Sequence, residues 1–210
     1  MRYLCLFNPL AGNGKGAMAA EELMPLMKGD NLEFCDLTKI KDYKEFFEKA
    51  GDTPLILCGG DGTLNRFIND TDGIDLPSSV FYYATGSGND FLNDVGKKKG
   101  DRPFKINKYL KFLPKVTVNG KTSAFINGIG YGIDGYCCEE GDKKRNLSGK
   151  RINYTPIAIK GLFGGYEPAD ATVTVDGKTA SYKRVWLAPT MNGRFFGGGM
   201  MAAPNQNRLN

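Results

Sequence analysis

The chain has 210 residues, is 41% hydrophobic and 24% charged, and sets 28 Lys and Arg against 23 Asp and Glu for a formal net charge of +5; those are globular proportions, enough for one large domain or two small ones. It contains no histidine, which excludes Ser-His-Asp triads, Cys/His zinc sites and imidazole acid–base chemistry and leaves carboxylates, lysine, arginine, backbone amides or an oxygen-bound metal. No apolar run approaches the ~20 residues needed to span a bilayer, no signal peptide is visible, and five cysteines without a C-x-x-C read as thiols of a reducing cytoplasm.

Residues 3–7 read as a short buried strand. The loop after it, Asn8-Pro9-Leu10-Ala11-Gly12-Asn13-Gly14-Lys15-Gly16, is neither a P-loop, since no Ser or Thr follows Lys15, nor a G-x-G-x-x-G fingerprint. Ala17, Ala20, Leu23, Met24 and Met27 fall near the 3.6-residue period and predict a helix over 16–28, with a second strand at 32–36. Helix 43–50, strand 54–58, helix 63–69, strand 79–83 and a helical turn from Asn89 continue the alternation, which implies βαβ units and a parallel sheet.

Gly59-Gly60-Asp61-Gly62-Thr63 leaves the strand at 54–58 and opens a helix. Glycines there let the backbone come close to a ligand, and free N–H groups with the helix dipole favour a phosphate. Asp61 cannot attract that phosphate; it is suited to hold magnesium or polarise an attacking hydroxyl, and a plain turn with an aspartate cap is the competing reading. Thr85-Gly86-Ser87-Gly88-Asn89-Asp90-Phe91 is a third loop of the same kind. Three such loops after three strands converge on one edge of a parallel sheet, where these sheets bind ligands.

The pattern changes after about Asn107. Asn119-Gly120 and Asp176-Gly177 sit between alternating runs, 114–118 with 123–126 and 171–175 with 181–187, and predict two hairpins. One helical stretch, about 153–163, lies between them. We expect an α/β half over 1–107 and a mostly antiparallel β half over 108–210. Basic clusters at 97–99 and 143–151 read as solvated faces or as contacts for an anionic partner. Phe195-Phe196 and Leu162-Phe163 read as core packing, with membrane contact as the alternative.

NPLAGNGKG, GGDGTLNRFIND, TGSGNDF, NGIGYGIDG and NGRFFGGGMMAAP, in this order and spacing, resemble the diacylglycerol kinase catalytic family. That group holds bacterial lipid kinases, sphingosine kinases and ceramide kinases, and is distantly related to NAD kinases and phosphofructokinases. GGDGT is shared with NAD kinases, whereas the NP-x-AG-x-G opening and the GSGNDF loop point to the lipid branch. The resemblance implies an α/β, Rossmann-like nucleotide domain followed by a β-rich sandwich domain, with the active site between them. It implies ATP contacts at Asn8, Pro9, Ala11, Gly12, Gly14, Thr38, Gly59, Gly60, Asp61, Gly62, Thr63, Leu64, Asn65, Gly86, Ser87 and Asn89, with Asp61 as the catalytic acid at their centre. Asp134 matches the segment that addresses the lipid head group, and Lys144, Arg145, Lys150 and Arg151 resemble basic residues that reach the nucleotide phosphates from the second domain. ATP and Mg2+ are the implied cofactors, with the metal ligands unassigned.

Three departures accompany the resemblance. Arg66 stands where the family usually has glutamate, reversing a charge near the phosphate loop. Ala84 replaces a proline that commonly precedes the third loop. Family members also continue past the GGGM-x-x-AP segment to an Asp-Gly motif of a structural magnesium site and an acidic general base, both expected beyond Asn210, so the sandwich is expected to be incomplete.

The expected function is transfer of the γ-phosphoryl of ATP to a lipid hydroxyl, of diacylglycerol or a related lipid. The protein is expected to be cytoplasmic, without a transmembrane segment or nucleic-acid partner, meeting its lipid substrate peripherally at the membrane surface; a homodimer is compatible with this. The alternatives are a kinase of a soluble substrate, as NAD kinases are, a catalytically incomplete ATP-binding fragment, and an α/β domain whose glycines are only turns. The chain alone is expected to turn over poorly and to leave a sheet edge open to association.

Overall fold

The computed structural model describes residues 1–86, 88–148 and 154–209, apart from the side chains of residues 13, 145–148 and 155. The chain forms two compact units, Met1–Gly128 with Met191–Asn210, and Ile129–Thr190. The change of pattern at Asn107 falls inside the first unit, whose last part is supplied by the final twenty residues.

The first unit is built on a five-stranded sheet. Strands β1 (Arg2–Phe7), β2 (Asn31–Asp36), β3 (Leu55–Gly59) and β4 (Val80–Ala84) are parallel in the order β2-β1-β3-β4, and the short β5 (Phe104–Lys105) adds antiparallel to β4. Between them come α1 (Gly16–Glu21), α2 (Tyr43–Ala50), α3 (Asp61–Asp70) and α4 (Asp90–Asp94). Side chains alternate across the sheet. Leu4, Leu6, Leu55, Leu57, Val80 and Tyr82 face Tyr43 and Phe47 of α2, Leu64, Phe67 and Ile68 of α3, and Phe91 of α4. Cys5, Ile56, Cys58 and Tyr83 face Ala20, Leu23 and Met27 on the other side. Every residue of β3 is buried, as expected of a strand covered on both faces.

The predicted helix over 16–28 is shorter than its apolar period. Leu23 and Met27 still pack on the sheet, but regular helix ends at Glu21. Pro25 explains this, because it has no N–H to give to Glu21 and its ring collides with that carbonyl; the chain continues in tighter turns such as Met24 N–H to Glu21 O, 2.9 Å.

After the sheet, β6 (Lys115–Val118) and β7 (Lys121–Ala124) form a hairpin. Asn119 and Gly120 both have positive φ, 51° and 75°, the type I′ geometry that Asn-Gly predicts. Asn69 on α3 fastens the strand that leaves it, donating to Ala124 O and accepting from Ala124 N–H, both at 2.9 Å. Asn65 accepts from Ile126 N–H at 3.1 Å. The returning C-terminal segment makes a small hairpin, β10 (Phe195–Phe196) with β11 (Met200–Met201).

The second unit holds α5 (Ile133–Ser148), α6 (Thr155–Lys160), a wider helical turn at Gly161–Gly165, and the hairpin of β8 (Ala169–Val175) and β9 (Lys178–Val185). Helix α5 is absent from the sequence expectation, which placed one helical stretch in this region. Its glycines argue against a helix by propensity, yet a side chain at Gly161 of the following turn would press on Ile133 and Tyr136 of α5, so close helix contact rather than propensity sets the local structure. The β8–β9 turn repeats the first hairpin, with Asp176 and Gly177 at φ 49° and 75°.

Candidate functional site

The glycine loops meet at the carboxyl end of the parallel sheet. The chain runs from β1 to β2 on one side and then to β3 on the other, so the strand order reverses between β1 and β3, the place where open α/β sheets leave a crevice. Thr85 N–H donates to Gly59 O at 2.9 Å, joining the ends of β3 and β4. A methyl group added at Gly86 would stand 2.5 Å from the Gly60 Cα and 2.8 Å from Asn89 Oδ1. Two backbones therefore touch where any side chain would separate them. The first N–H groups of α3, from Asp61, Gly62 and Thr63, precede the first intrahelical bond, Leu64 N–H to Gly60 O at 3.0 Å; they form the positive end of a ten-residue helix.

Asp61 is the junction of this region. Its Oδ2 accepts from Asp90 N–H and its Oδ1 from Phe91 N–H, both at 2.9 Å, and Oδ1 also accepts from Asn127 Nδ2 at 3.0 Å. The carboxylate of the second glycine loop thus caps the helix that follows the third. Asp61 is thus a helix cap, of α4 rather than of its own helix.

That arrangement brings forward Asp90, which the sequence reading left unassigned. Asp90 is 8% exposed. Its Oδ2 accepts from Gly198 N–H at 3.0 Å, while Oδ1 is buried without a partner among the described residues, as is Oδ1 of neighbouring Asn89. Burial pushes the Asp90 carboxyl above its usual pKa; hydrogen bonds from the 198–199 backbone pull it down, and the Asp61 charge pushes it up again. Two buried oxygens on neighbouring residues, with no donor among the described residues, are costly. A cation or a donor-bearing ligand would satisfy them.

A buried ion cluster supports the same helix from its other end. Asp94, 5% exposed at its side chain, pairs with Arg194 Nε at 2.7 Å and with Arg208 Nε. Arg208 also donates to Ile126 O at 3.0 Å and to Asn127 Oδ1 at 3.2 Å, and lies over the Phe91 ring at 4.8 Å. Asp61, Asn127, Arg208 and Asp94 are therefore one continuous hydrogen-bonded set. Asn127 and Arg194 lie in the NGIGYGIDG and NGRFFGGGMMAAP motifs without an assigned role, and Arg208 lies outside any motif; their partners are 66 to 114 residues away.

The remaining expected residues fall as follows. Asn8 accepts from Leu10 N–H through Oδ1 at 3.0 Å, and Ala11, Gly12 and Gly14 form the helical turn Ala11–Gly14. Pro9 lines an open cleft of about 790 Å3 with Phe7, Ala17, Phe34 and Asp36. Thr38 donates its hydroxyl to Asp36 Oδ1 at 2.6 Å, and that bond holds the Asp36 carboxyl below its usual value. Leu64 is fully buried in the core, and Asn65 serves the strand at Ile126. Arg66 pairs with Asp70 at 3.1 Å, one turn further along α3, so its guanidinium is held toward the helix's later residues. Ser87, Lys150 and Arg151 lie outside the described residues. Lys144, Arg145 and Asp134 belong to α5 of the second unit; the Arg145 side chain is not described, and Asp134 Oδ1 accepts from Gly135 N–H at 2.9 Å.

Among the described residues no helix is long and apolar enough to cross a membrane, and no three His, Cys, Asp or Glu gather as a metal cage. The sequence profile described as Diacylglycerol kinase catalytic domain matches residues 2–115, more than half of the chain. The chain is 29% identical over 170 residues to the protein named "Putative lipid kinase YtlR" of Bacillus subtilis (strain 168), covering 73% of this chain and 54% of that one. It is 22% identical over 212 residues to a diacylglycerol kinase of Mycobacterium tuberculosis (strain ATCC 25618 / H37Rv), covering 95% and 67%. A solved diacylglycerol kinase structure from Bacillus anthracis str. Sterne superimposes with a TM-score of 0.56 at 23% identity, over 94% of this chain and 66% of that one. The chain spans 54% of the length of the first of these relatives.

Proposed function

The chain belongs to the diacylglycerol kinase catalytic domain family, and from that premise we propose that it transfers the γ-phosphoryl group of ATP to a lipid hydroxyl, of diacylglycerol or a related lipid. The observation that carries the proposal is the glycine-walled end of the sheet, where Gly60 and Gly86 touch with the unpartnered Asn89 Oδ1 close to Gly86 and the next residue, Asp90, also holds a buried unpartnered oxygen.

In this reading the amides of Asp61, Gly62 and Thr63 receive the donor phosphates. The cleft lined by Phe7, Pro9 and Phe34 takes the nucleoside, close to the expected contacts at Asn8 and Thr38. Magnesium prefers oxygen ligands and is commonly held by one or two carboxylates together with phosphate oxygens; the free Asp90 oxygen suits it, and when bound it supplies neutralising charge to the phosphoryl oxygens. Asp61 acts through what it fastens: by capping α4 it fixes Asp90 and Asn89 against the loop. Asp134 is the proposed head-group contact, and Lys144 and Arg145 the proposed cationic side of the site.

Phosphoryl transfer needs little covalent assistance from the protein, so positioning and charge account for most of the catalysis. The phosphorus–oxygen bond to the nucleoside diphosphate breaks, a new one forms to the lipid oxygen, and the hydroxyl proton passes to a carboxylate, the acidic base that the resemblance implies.

The test supplies the full chain with γ-labelled ATP, magnesium and either detergent-dispersed diacylglycerol or NAD. Label entering the organic phase slowly, and not NAD, is the expected result. Label in NAD alone makes the protein a kinase of a soluble substrate. Bound ATP with no label in either acceptor makes it a nucleotide-binding protein without this activity.

A further inference from the structure

Half-buried Asn127 is held by its backbone without help from its own side chain. Its carbonyl accepts from Asn192 N–H at 2.8 Å and from Gly193 N–H at 2.9 Å. The preceding Ile126 is fixed on both polar atoms, its N–H by Asn65 Oδ1 at 3.1 Å and its carbonyl by Asn192 Nδ2 at 2.8 Å and Arg208 Nη1 at 3.0 Å. The Asn127 side chain is thus available for another task.

That side chain lies between two groups of opposite character, because the Asp61 carboxylate offers only acceptors and the Arg208 guanidinium only donors. A side-chain amide between them is satisfied in one orientation, with Nδ2 donating to Asp61 Oδ1 at 3.0 Å and Oδ1 accepting from Arg208 Nη2 at 3.2 Å. Turned over, it would set acceptor against acceptor and donor against donor. Arg208 is itself fixed: its side chain is 5% exposed, its Nε pairs with Asp94, and its guanidinium lies over the Phe91 ring. Gly193 makes room for it, since a side chain there would collide with Nη2. The rigid fork of Arg208 therefore decides which face the Asn127 amide presents to Asp61. Asp61 in turn takes the N–H groups of Asp90 and Phe91, and Asn127 is the one side chain that bonds its carboxylate among the described residues.

We propose that Asn127 and Arg208 are positioning residues for the phosphate-binding end of the sheet: Arg208 orients the Asn127 amide, and that amide holds the Asp61 carboxylate in the setting that caps α4 and places Asp90. The relay takes its purpose from the nucleotide reading of that end, but its basis is the donor and acceptor chemistry of the three side chains.

The discriminating variant is Asn127→Asp, which keeps the shape and strengthens the contact with Arg208 while turning the donor that faces Asp61 into a second anionic acceptor. If Asn127 only seated Arg208, this variant would equal wild type. Titration of the full chain with ATP and magnesium is expected instead to show affinity about tenfold weaker than wild type in Asn127→Ala and weaker again in Asn127→Asp, with circular dichroism at wild-type values. Arg208→Lys leaves a cation for Asp94 without the fork; it is expected to weaken binding in the wild-type background and to add little in Asn127→Ala, where no amide remains to be oriented. In NMR spectra the Asn127 side-chain NH2 pair, identified by its loss in Asn127→Ala, is expected to be protected from solvent exchange in wild type and unprotected in Arg208→Lys. Wild-type ATP affinity in Asn127→Asp, or fully additive losses in the double variant, overturns the proposal. A wild type that phosphorylates diacylglycerol while all three variants match it overturns the relay and leaves the kinase reading standing. A protected amide that Arg208→Lys exposes, in a chain that binds no ATP, supports the relay and overturns the nucleotide reading.

Discussion

Asp90 and Asp94 occupy the two ends of one short helix and are pushed in opposite directions. Burial works against ionisation of Asp94, but the hydrogen bonds from Arg194 and Arg208 outweigh it and hold that carboxyl below its usual value. Its folded pKa is lower than its unfolded one, so its contribution is present above the unfolded value and lost as pH falls through the folded one. Asp94→Ala leaves the buried Arg208 without its anion and is expected to cost about 3–5 kcal/mol near neutral pH. Asp90 has the reverse sign: its folded pKa is raised, so its favourable term belongs to low pH and disappears as pH rises through the folded value. Asp90→Asn is therefore expected to be at least as stable as wild type near neutral pH while losing about a hundredfold or more in phosphoryl transfer. Urea unfolding of both variants across pH 3 to 8 checks the pair, and the Asp94→Ala deficit should shrink toward the acid end. Stability given up at Asp90 and recovered at Asp94 is the pattern expected of the proposed magnesium ligand held by a structural neighbour.

At the scale of elements, the loops between β3 and α3 and between β4 and α4 act as one device, because Gly60 and Gly86 meet backbone to backbone. Gly86→Ala pushes them apart, and titration of the variant with ATP and magnesium is expected to show affinity at least tenfold weaker than wild type, with circular dichroism little changed; unchanged affinity would mean that the phosphates bind elsewhere. These elements were legible in the sequence for definite reasons. Strand and helix periods placed the sheet, Tyr43–Ala50 agrees at both ends, and Asn119-Gly120 and Asp176-Gly177 announced their turns through residues that tolerate positive φ. Helix α1 was overextended because apolar spacing outlasts regular hydrogen bonding at Pro25. Helix α5 was missed because its local composition opposes it and helix packing decides it. Of the site, the glycine loops and Asp61 were visible, since they are local. The roles of Asp90's unpartnered oxygen, of Asn127 and of the two arginines were not, even where the residues lie in quoted motifs, since they acquire meaning only from partners far along the chain.

For the whole molecule, the first unit contains the glycine loops, the capping carboxylate and the ion cluster, and its final twenty residues bring Gly198, Arg194 and Arg208 to helix α4. The second unit contains Asp134 and Lys144, and its β8–β9 hairpin is exposed along most of both strands. The central claim is that the glycine-walled end of the sheet binds nucleotide phosphates, and thermal unfolding of the full chain with and without ATP and magnesium tests it most directly. A ligand bound only by the folded state at about a hundred times its dissociation constant stabilises it by about 2.7 kcal/mol, which for a chain of this size raises the melting temperature by about 5–11 °C. That rise is expected in wild type, together with a smaller one in Gly86→Ala at the same ATP concentration. A melting temperature that ATP and magnesium leave unchanged would contradict the claim.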